Sequence, residues 1–464
     1  MKLRDLNIVY FIGVGGIGMS AIARWFNQNG IEVQGYDRTE TPLTKKLVEE
    51  GIKIHYEDNI SLIPAELLAN KDKSLVVYTP AIPKVHKELN YLLDYGLTVM
   101  KRSEVLGLIT KDIYTIAVAG THGKTTTSSM VAHLLKSSGK DITAFMGGLS
   151  TNYNSNFIIN EELNEGTIAV VEADEFDRSF LTLHPNMAIV TSMDADHLDI
   201  YGNKNELQNS FKEFMGQVHE DGRLFINDRL QTEIYTQSLS VKTNTYGINQ
   251  GQFFAVNLKI ANGFFEFDFC GGGHEINGLS LSVPGFHNVE NMVAAISVAI
   301  QAGVTDEQIK AGVASYTGVK RRFEYIIRSE KVIYIDDYAH HPTEIEALLK
   351  SVKSLYPSKK VTAIFQPHLF TRTRDFASGF SESLSLADEV ILMDIYPARE
   401  EPIEGVTSNM LLDNIGVPKQ LTDKQNLMSI VDEHDFEVVV TIGAGDIDQF
   451  VPKIQETLKR RYNV

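Results

Sequence analysis

The sequence predicts an α/β protein of three domains, and three observations predict it. Short apolar runs alternate with helix-period segments nearly throughout, the pattern of βα units and parallel sheets. A strand, a glycine turn and a helix recur near residues 8–28, 113–137 and 438–460. The chain has 464 residues, whereas a single core stops growing at roughly 250–300 residues. The expected domains are 1–105, 106–316 and 317–464.

The first opens on Lys2 and Arg4 followed by Ile8–Ile12, which faintly resembles a secretion signal. The apolar run is too short and enters a glycine turn, so it reads as a strand. The turn spans Gly13 to Gly18, a helix runs to Gln28, and a second strand, Glu32–Tyr36, ends at Asp37. The second domain carries the strand Tyr114–Ala119, strands ending near Val171 and Thr191, and helices near 288–302 and 306–315. Its 252–282 region alternates Phe, Gly and apolar residues and reads as a small antiparallel sheet inserted at the domain's edge. The third contains strands Val332–Ile335, Val361–Phe365 and Glu389–Met393 and a helix near 343–355.

Composition narrows the function. The chain is 43% hydrophobic and 22% charged, with a formal net charge of -17. So acidic a surface repels a phosphate backbone, which argues against nucleic-acid binding. The single cysteine, Cys270, excludes an internal disulfide and a cysteine zinc site. No run reaches about 18 apolar residues, so no membrane span is expected. A cytoplasmic location follows by elimination.

Gly13, Gly15 and Gly18 satisfy G-x-G-x-x-G between a strand and a helix, and Asp37 follows about 20 residues on. Glycines let backbone approach a diphosphate, and the helix N-terminus supplies free N–H groups. The pattern encodes a diphosphate seat, which NAD, FAD or a UDP-sugar could each fill.

Gly120-Thr121-His122-Gly123-Lys124-Thr125-Thr126-Thr127 also joins a strand to a helix. Backbone N–H groups there hold phosphate oxygens, Lys124 reaches the β/γ region, and Thr125 can ligate magnesium. The usual spacing asks for glycine where Val118 stands. Glu172, Asp174 and Glu175 follow one later strand, and Asp194, Asp196 and His197 follow another. Ligands bind beyond the carboxyl ends of such strands, so these acids converge on one place. Glu172 and His197 are the expected metal ligands.

The motifs together resemble the Mur ligases of peptidoglycan synthesis. The pieces are Gly13–Ser20, Gly120–Thr127, Glu172–Phe176, Asp194–Tyr201, Pro284–Asn291, Gly318–Glu324, Asp336–Ile345, Phe365–Thr373 and Tyr396–Glu400. They are most similar to the member that joins L-alanine to UDP-N-acetylmuramate, and the resemblance covers essentially the whole chain. It implies a Rossmann-like UDP-binding domain, a central P-loop-type ATPase domain and a C-terminal Rossmann-like domain that closes over the site. It implies ATP and Mg²⁺ as cofactors and an acyl-phosphate intermediate, and is compatible with a weak homodimer.

By the same resemblance, Gly120, Thr121, His122, Gly123, Lys124, Thr125 and Thr126 would cradle ATP, and Lys124 would contact its phosphates. Thr125, Glu172 and His197 would hold magnesium. His287, Asn288 and Asn291 would meet adenine, Asp337 the ribose, and Arg322 the triphosphate. Lys124, Glu172, His197 and Arg322 form the expected catalytic set. His341, Arg372 and Arg374 would face the sugar acid and the amino acid. Gly13, Gly15, Gly16, Ile17, Gly18 and Asp37 would seat UDP, not NAD, bordered by Thr79, Pro80 and Ala81. Phe176 stands where a small residue such as serine is expected, which should narrow the pocket there.

Taken singly, the later motifs also read as plain structure. Asn288 suits a helix N-cap, His340, His341 and Pro342 a capped turn, and the arginine pairs solvated surfaces. A sister ligase for a peptide or another amino acid shares nearly every motif. An NAD-dependent dehydrogenase or a non-catalytic nucleotide-binding regulator leaves the second loop, its lysine or its acids unexplained.

Overall fold

Five consecutive buried apolar residues, Ile8–Ile12, make β1, the middle strand of a parallel sheet. Such a run suits a strand covered on both faces. In this computed structural model, which describes residues 3–160, 166–194, 201–230, 239–261, 263–398 and 400–464, the other strands of that sheet are β2 (Glu32–Tyr36), β3 (Lys53–His55), β4 (Ser74–Tyr78) and β5 (Val99–Lys101). Their order is β3-β2-β1-β4-β5, and every pairing is parallel. The chain steps to one side after β1 and returns to the other at β4. That reversal opens a crevice between the loops following β1 and β4, where a ligand of such a sheet sits. Gly13 and Thr79 open those two loops.

The second sheet is built on β6 (Tyr114–Ala119), β7 (Ile142–Ser150), β8 (Ser155–Ile159), β9 (Ile168–Glu172), β10 (Met187–Val190), β11 (Arg223–Asn227) and β12 (Lys242–Ile248). They lie in the order β12-β11-β10-β6-β9-β7-β8, parallel except for the β7–β8 pair. β6 therefore lies between β9 and β10, and the acidic segments after those strands flank the loop after β6. The edge strands read from the 252–282 region are β13 (Phe253–Ala261), β14 (Phe264–Gly271) and β15 (His274–Leu281). They extend the same sheet outward from β12 in chain order, with β15 at the edge. The third sheet comprises β16 (Glu324–Arg328), β17 (Ile333–Asp337), β18 (Val361–Phe365), β19 (Glu389–Met393), β20 (Lys419–Thr422) and β21 (Val438–Ile442), ordered β16-β17-β21-β18-β19-β20. Only β16 runs antiparallel to its neighbour.

By packing, the chain divides into two compact units. One holds Met1–Val256, Asp268–Leu279 and Glu290–Ser315, and the other Asn257–Phe267, Ser280–Val289 and Tyr316–Val464. The first sheet and strands β6–β12 of the second fall in one unit, and they share a core: Val9, Phe11 and Phe26 belong to the same apolar cluster as Phe145, Phe157 and Val171. A polar strut crosses that contact. Arg24, on the helix Ile17–Gln28, is almost fully buried and binds Glu50 with two nitrogens, at 2.6 and 3.0 Å. A third nitrogen donates to Asn156 Oδ1 on β8, and the Asn156 amide donates back to Ile17 O at 2.5 Å and Ser20 Oγ at 3.0 Å. Among the described residues, no helix is long and apolar enough to cross a membrane.

Candidate functional site

In the first sheet, Gly13 takes φ of 88°, a left-handed turn that a side chain resists. Gly15 N donates to Asp37 Oδ2 at 2.7 Å, and a Cβ on Gly15 would lie 2.6 Å from the Thr44 methyl and 2.8 Å from that carboxylate. Asp37 thus braces the turn itself. Gly16 stands at the N-cap of the helix Ile17–Gln28 without a side-chain cap, and Gly18 lies in its first turn. Thr79 approaches Gly13 closely, with its methyl 3.1 Å from where a Cβ would lie, while Ala81 is exposed two residues further on.

In the second sheet, the loop after β6 is pinned to the segment after β10. Thr121 N donates to Ser192 O at 3.1 Å and His122 N to Ser192 Oγ at 2.8 Å. Gly120 takes φ of 138°, and a Cβ there would lie 2.0 Å from Thr191 Oγ1. Gly123, at φ of 81°, is the N-cap of the helix Lys124–Ser137. Asn291 lies against it, its Oδ1 3.0 Å from where a Gly123 Cβ would be. Thr125 and Thr126 are buried in the helix's first turn.

Lys124 folds back over this loop. Its ammonium donates to Gly120 O at 2.7 Å and pairs with Glu175 at 2.7 and 3.0 Å. Burial opposes the lysine's charge, but the fields of Glu175, Asp174 and Glu172 outweigh it and raise the pKa above the ordinary lysine value. Glu172 ends β9, and its Oε2 accepts from Gly147 N at 2.9 Å. A Cβ on Gly147 would lie 2.4 Å from both Glu172 oxygens, so this glycine keeps the carboxylate's place open. A carboxylate and a threonine hydroxyl are hard oxygen donors of the kind magnesium takes. Asp196 and the third expected ligand, His197, lie outside the described residues. Phe176 is half-buried, its N–H donating to Asp174 Oδ1 at 3.1 Å.

In the other unit, Arg322 lies 3.8 Å from Glu344 and over the Tyr338 ring. Asp337 ends β17 and accepts from Phe323 N at 2.6 Å and Ala339 N at 2.7 Å. Burial pushes its pKa up to about 6, with Arg322 pulling the other way. Both its oxygens hold the turns at 321–323 and 338–339, a bracing role that the motif did not reveal. His341 caps the helix Pro342–Leu355, while Glu344 Oε2 accepts from His340 N at 2.9 Å and His341 N at 3.2 Å. His287 is half-buried, and desolvation lowers its pKa to about 4. Asn288 lies inside the helix Phe286–Gln301 rather than at its cap, donating to Pro284 O at 2.7 Å. Arg372 is buried; Arg374 is half-exposed and paired with Asp375 at 2.8 Å.

Sequence reasoning passed over Ser192, Thr191, Gly147 and the pairing of Glu175 with Lys124. Only the Gly147-Gly148 pair inside a strand hinted at close approach.

Three family models match in chain order: the Mur ligase family catalytic domain over residues 8–114, the Mur ligase middle domain over 118–299 and the Mur ligase glutamate ligase domain over 321–445. The chain belongs to the Mur ligase family. Mur ligases are ATP-dependent, amide-bond-forming enzymes, and this chain is one of them. A UDP-N-acetylmuramate–L-alanine ligase from Flavobacterium psychrophilum is 51% identical over 463 residues, covering 99% of this chain and 100% of its own. One from Cytophaga hutchinsonii is 46% identical, covering 100% of this chain and 99% of its own. Among solved structures, a UDP-N-acetylmuramate–alanine ligase from Thermotoga maritima matches with a TM-score of 0.81 at 28% identity, over 98% of this chain and 99% of that one. Membership in the Mur ligases sets aside the dehydrogenase and regulator readings. The glycine turn and the loop around Lys124 fall in two different matched domains.

Proposed function

We propose that the chain joins L-alanine to the carboxylate of UDP-N-acetylmuramate, consuming ATP and yielding ADP and phosphate, in the cytoplasm. The observation that carries this reading is the loop Gly120–Lys124, laid between two strand ends with its lysine held among carboxylates. The substrates are those named for relatives at about half identity over the full chain. We place the domain boundaries near residues 105 and 316.

A carboxylate does not react with an amine at neutral pH, because oxide would have to leave. A carboxylate oxygen of the sugar acid attacks the γ-phosphorus, the bond to the ADP oxygen breaks, and an acyl phosphate results. The amine then attacks the carbonyl carbon, loses a proton, and phosphate departs from the tetrahedral intermediate. No protein nucleophile is needed; the chain positions the reactants and balances charge. Backbone N–H groups from Gly120 to Thr126 hold the phosphates, and Lys124 meets the migrating phosphoryl group. Arg322 adds a second cation. Thr125, Glu172 and His197 would hold magnesium, which neutralises phosphate oxygens when bound. Gly13, Gly15, Gly16, Ile17 and Gly18 seat the UDP diphosphate, with Asp37, Thr79 and Ala81 shaping that seat. His287, Asn288, Asn291 and Asp337 lie on the nucleoside side, and His341, Arg372 and Arg374 on the sugar-acid and amino-acid side.

Phosphate release from ATP in the presence of UDP-N-acetylmuramate and a panel of amino acids and peptides tests the substrates. Turnover with L-alanine is expected; preference for a peptide would assign the chain to a sister activity. A substrate carboxyl labelled with oxygen-18 should pass one label to phosphate, and unlabelled phosphate would rule the scheme out.

A further inference from the structure

One arginine touches both the glycine turn and the acidic loop behind Lys124. Gly16, the N-cap of the helix Ile17–Gln28, carries no side chain to cap its first turn. Arg102, the first residue of the helix Arg102–Thr110, stands beside that turn. Its Nη1 is 2.9 Å from where a Cβ on Gly18 would lie, so Gly18 makes room for the guanidinium. Its Nη2 is 3.3 Å from Asp174 Oδ2. Asp174 adjoins Glu175, the partner of Lys124, and follows Glu172 by two residues. The Arg102 side chain is 19% exposed and Asp174 36% exposed, so a ligand can reach the pair. Among the described residues its one hydrogen bond is that 3.3 Å contact, which leaves most of the five guanidinium donors unspent.

We propose that Arg102 is a specificity residue for the anionic sugar nucleotide. Resting on the reading of the glycine turn as the UDP-sugar seat, its guanidinium leaves Asp174 for an anionic oxygen of the substrate lying across that turn. Asp174 is then the competitor that the substrate displaces. A planar, always charged fork suits phosphate or carboxylate oxygens better than the compact lysine head.

Calorimetric titration of the full chain with UDP-N-acetylmuramate, without ATP, separates this from a merely structural ion pair. Arg102→Gln should raise Kd at least tenfold while leaving the KM for ATP within twofold. Arg102→Lys should fall between it and wild type, and serves if the glutamine variant does not fold. Asp174→Asn should act in the opposite direction, lowering Kd about threefold, because the competing anion is gone. Opposite signs are the signature, since a strut loses from either side alike. Equal affinity in wild type and the arginine variants would overturn the proposal, as would equal weakening by the arginine and aspartate changes with matched drops in melting temperature. Failure of wild type to bind would instead remove the seat itself, and the proposal with it.

Discussion

Lys124 is anchored by a carbonyl and a carboxylate before any phosphate arrives, so its charge is already in place. Lys124→Ala should lower kcat by roughly 10²–10³, the usual loss for one preorganised contact at developing charge. UDP-sugar affinity should stay within about twofold, because the glycine turn lies on another sheet. Equal loss of both in a folded variant would contradict the division of labour. Gly120→Ala tests the loop's geometry. A methyl there meets Thr191 Oγ1 at 2.0 Å and needs φ of 138°. The combined clash and strain should cost about 2–4 kcal/mol, or displace the loop and raise the KM for ATP. Denaturant midpoint and ATP kinetics both matching wild type would sink that account. The loop was legible in sequence because its parts are neighbours in the chain. Glu175 was not legible as Lys124's partner, since 51 residues separate them and only the β6–β9 pairing brings them together.

At the scale of elements, buried parallel strands announce themselves. Ile8–Ile12, Tyr114–Ala119, Val361–Phe365 and Glu389–Met393 fold over the bounds read from their apolar runs. β17 is longer at its end than its apolar residues imply, continuing through Asp336 and Asp337, because β21 pairs with it as far as Ile442. Asp336 is satisfied there by Thr441 Oγ1 at 2.6 Å and Arg321 Nε at 3.2 Å. The polar strut was equally hidden: an arginine on a helix reads as a solvated face, yet Arg24 is buried against Glu50 and Asn156. Asn156→Leu keeps the volume but removes an acceptor from a buried cation and a donor from Ile17 O. Arg24 retains Glu50, so the cost should be about 2–4 kcal/mol. An unfolding midpoint unchanged in urea would show the strut to be dispensable.

For the molecule as a whole, stability should depend on pH through a few buried or half-buried groups. Burial lowers the pKa values of His287 and His340 to about 4, below the ordinary 6.5. Between those values the unfolded chain binds protons that the folded chain refuses, so stability falls as pH drops below about 6.5. Asp337 acts oppositely: its raised pKa of about 6 lets the folded state take up a proton first, which offsets part of the loss below about pH 6. Two histidines outweigh one aspartate, so the net loss should begin near pH 6.5 and continue down toward about pH 4. Melting temperatures of wild type and His340→Gln across pH 5–8 test this; the variant should show the shallower decline, and parallel curves would refute the assignment.

The core shared by the first two sheets also bears on how the chain is made. Arg24 and Asn156 are 132 residues apart. At about 5–20 residues per second, the ribosome needs roughly 7–26 s to deliver the second after the first. Throughout that interval the newborn helix Ile17–Gln28 lacks the apolar cover that β7 and β8 later bring to it, and a chaperone would find exposed apolar surface there.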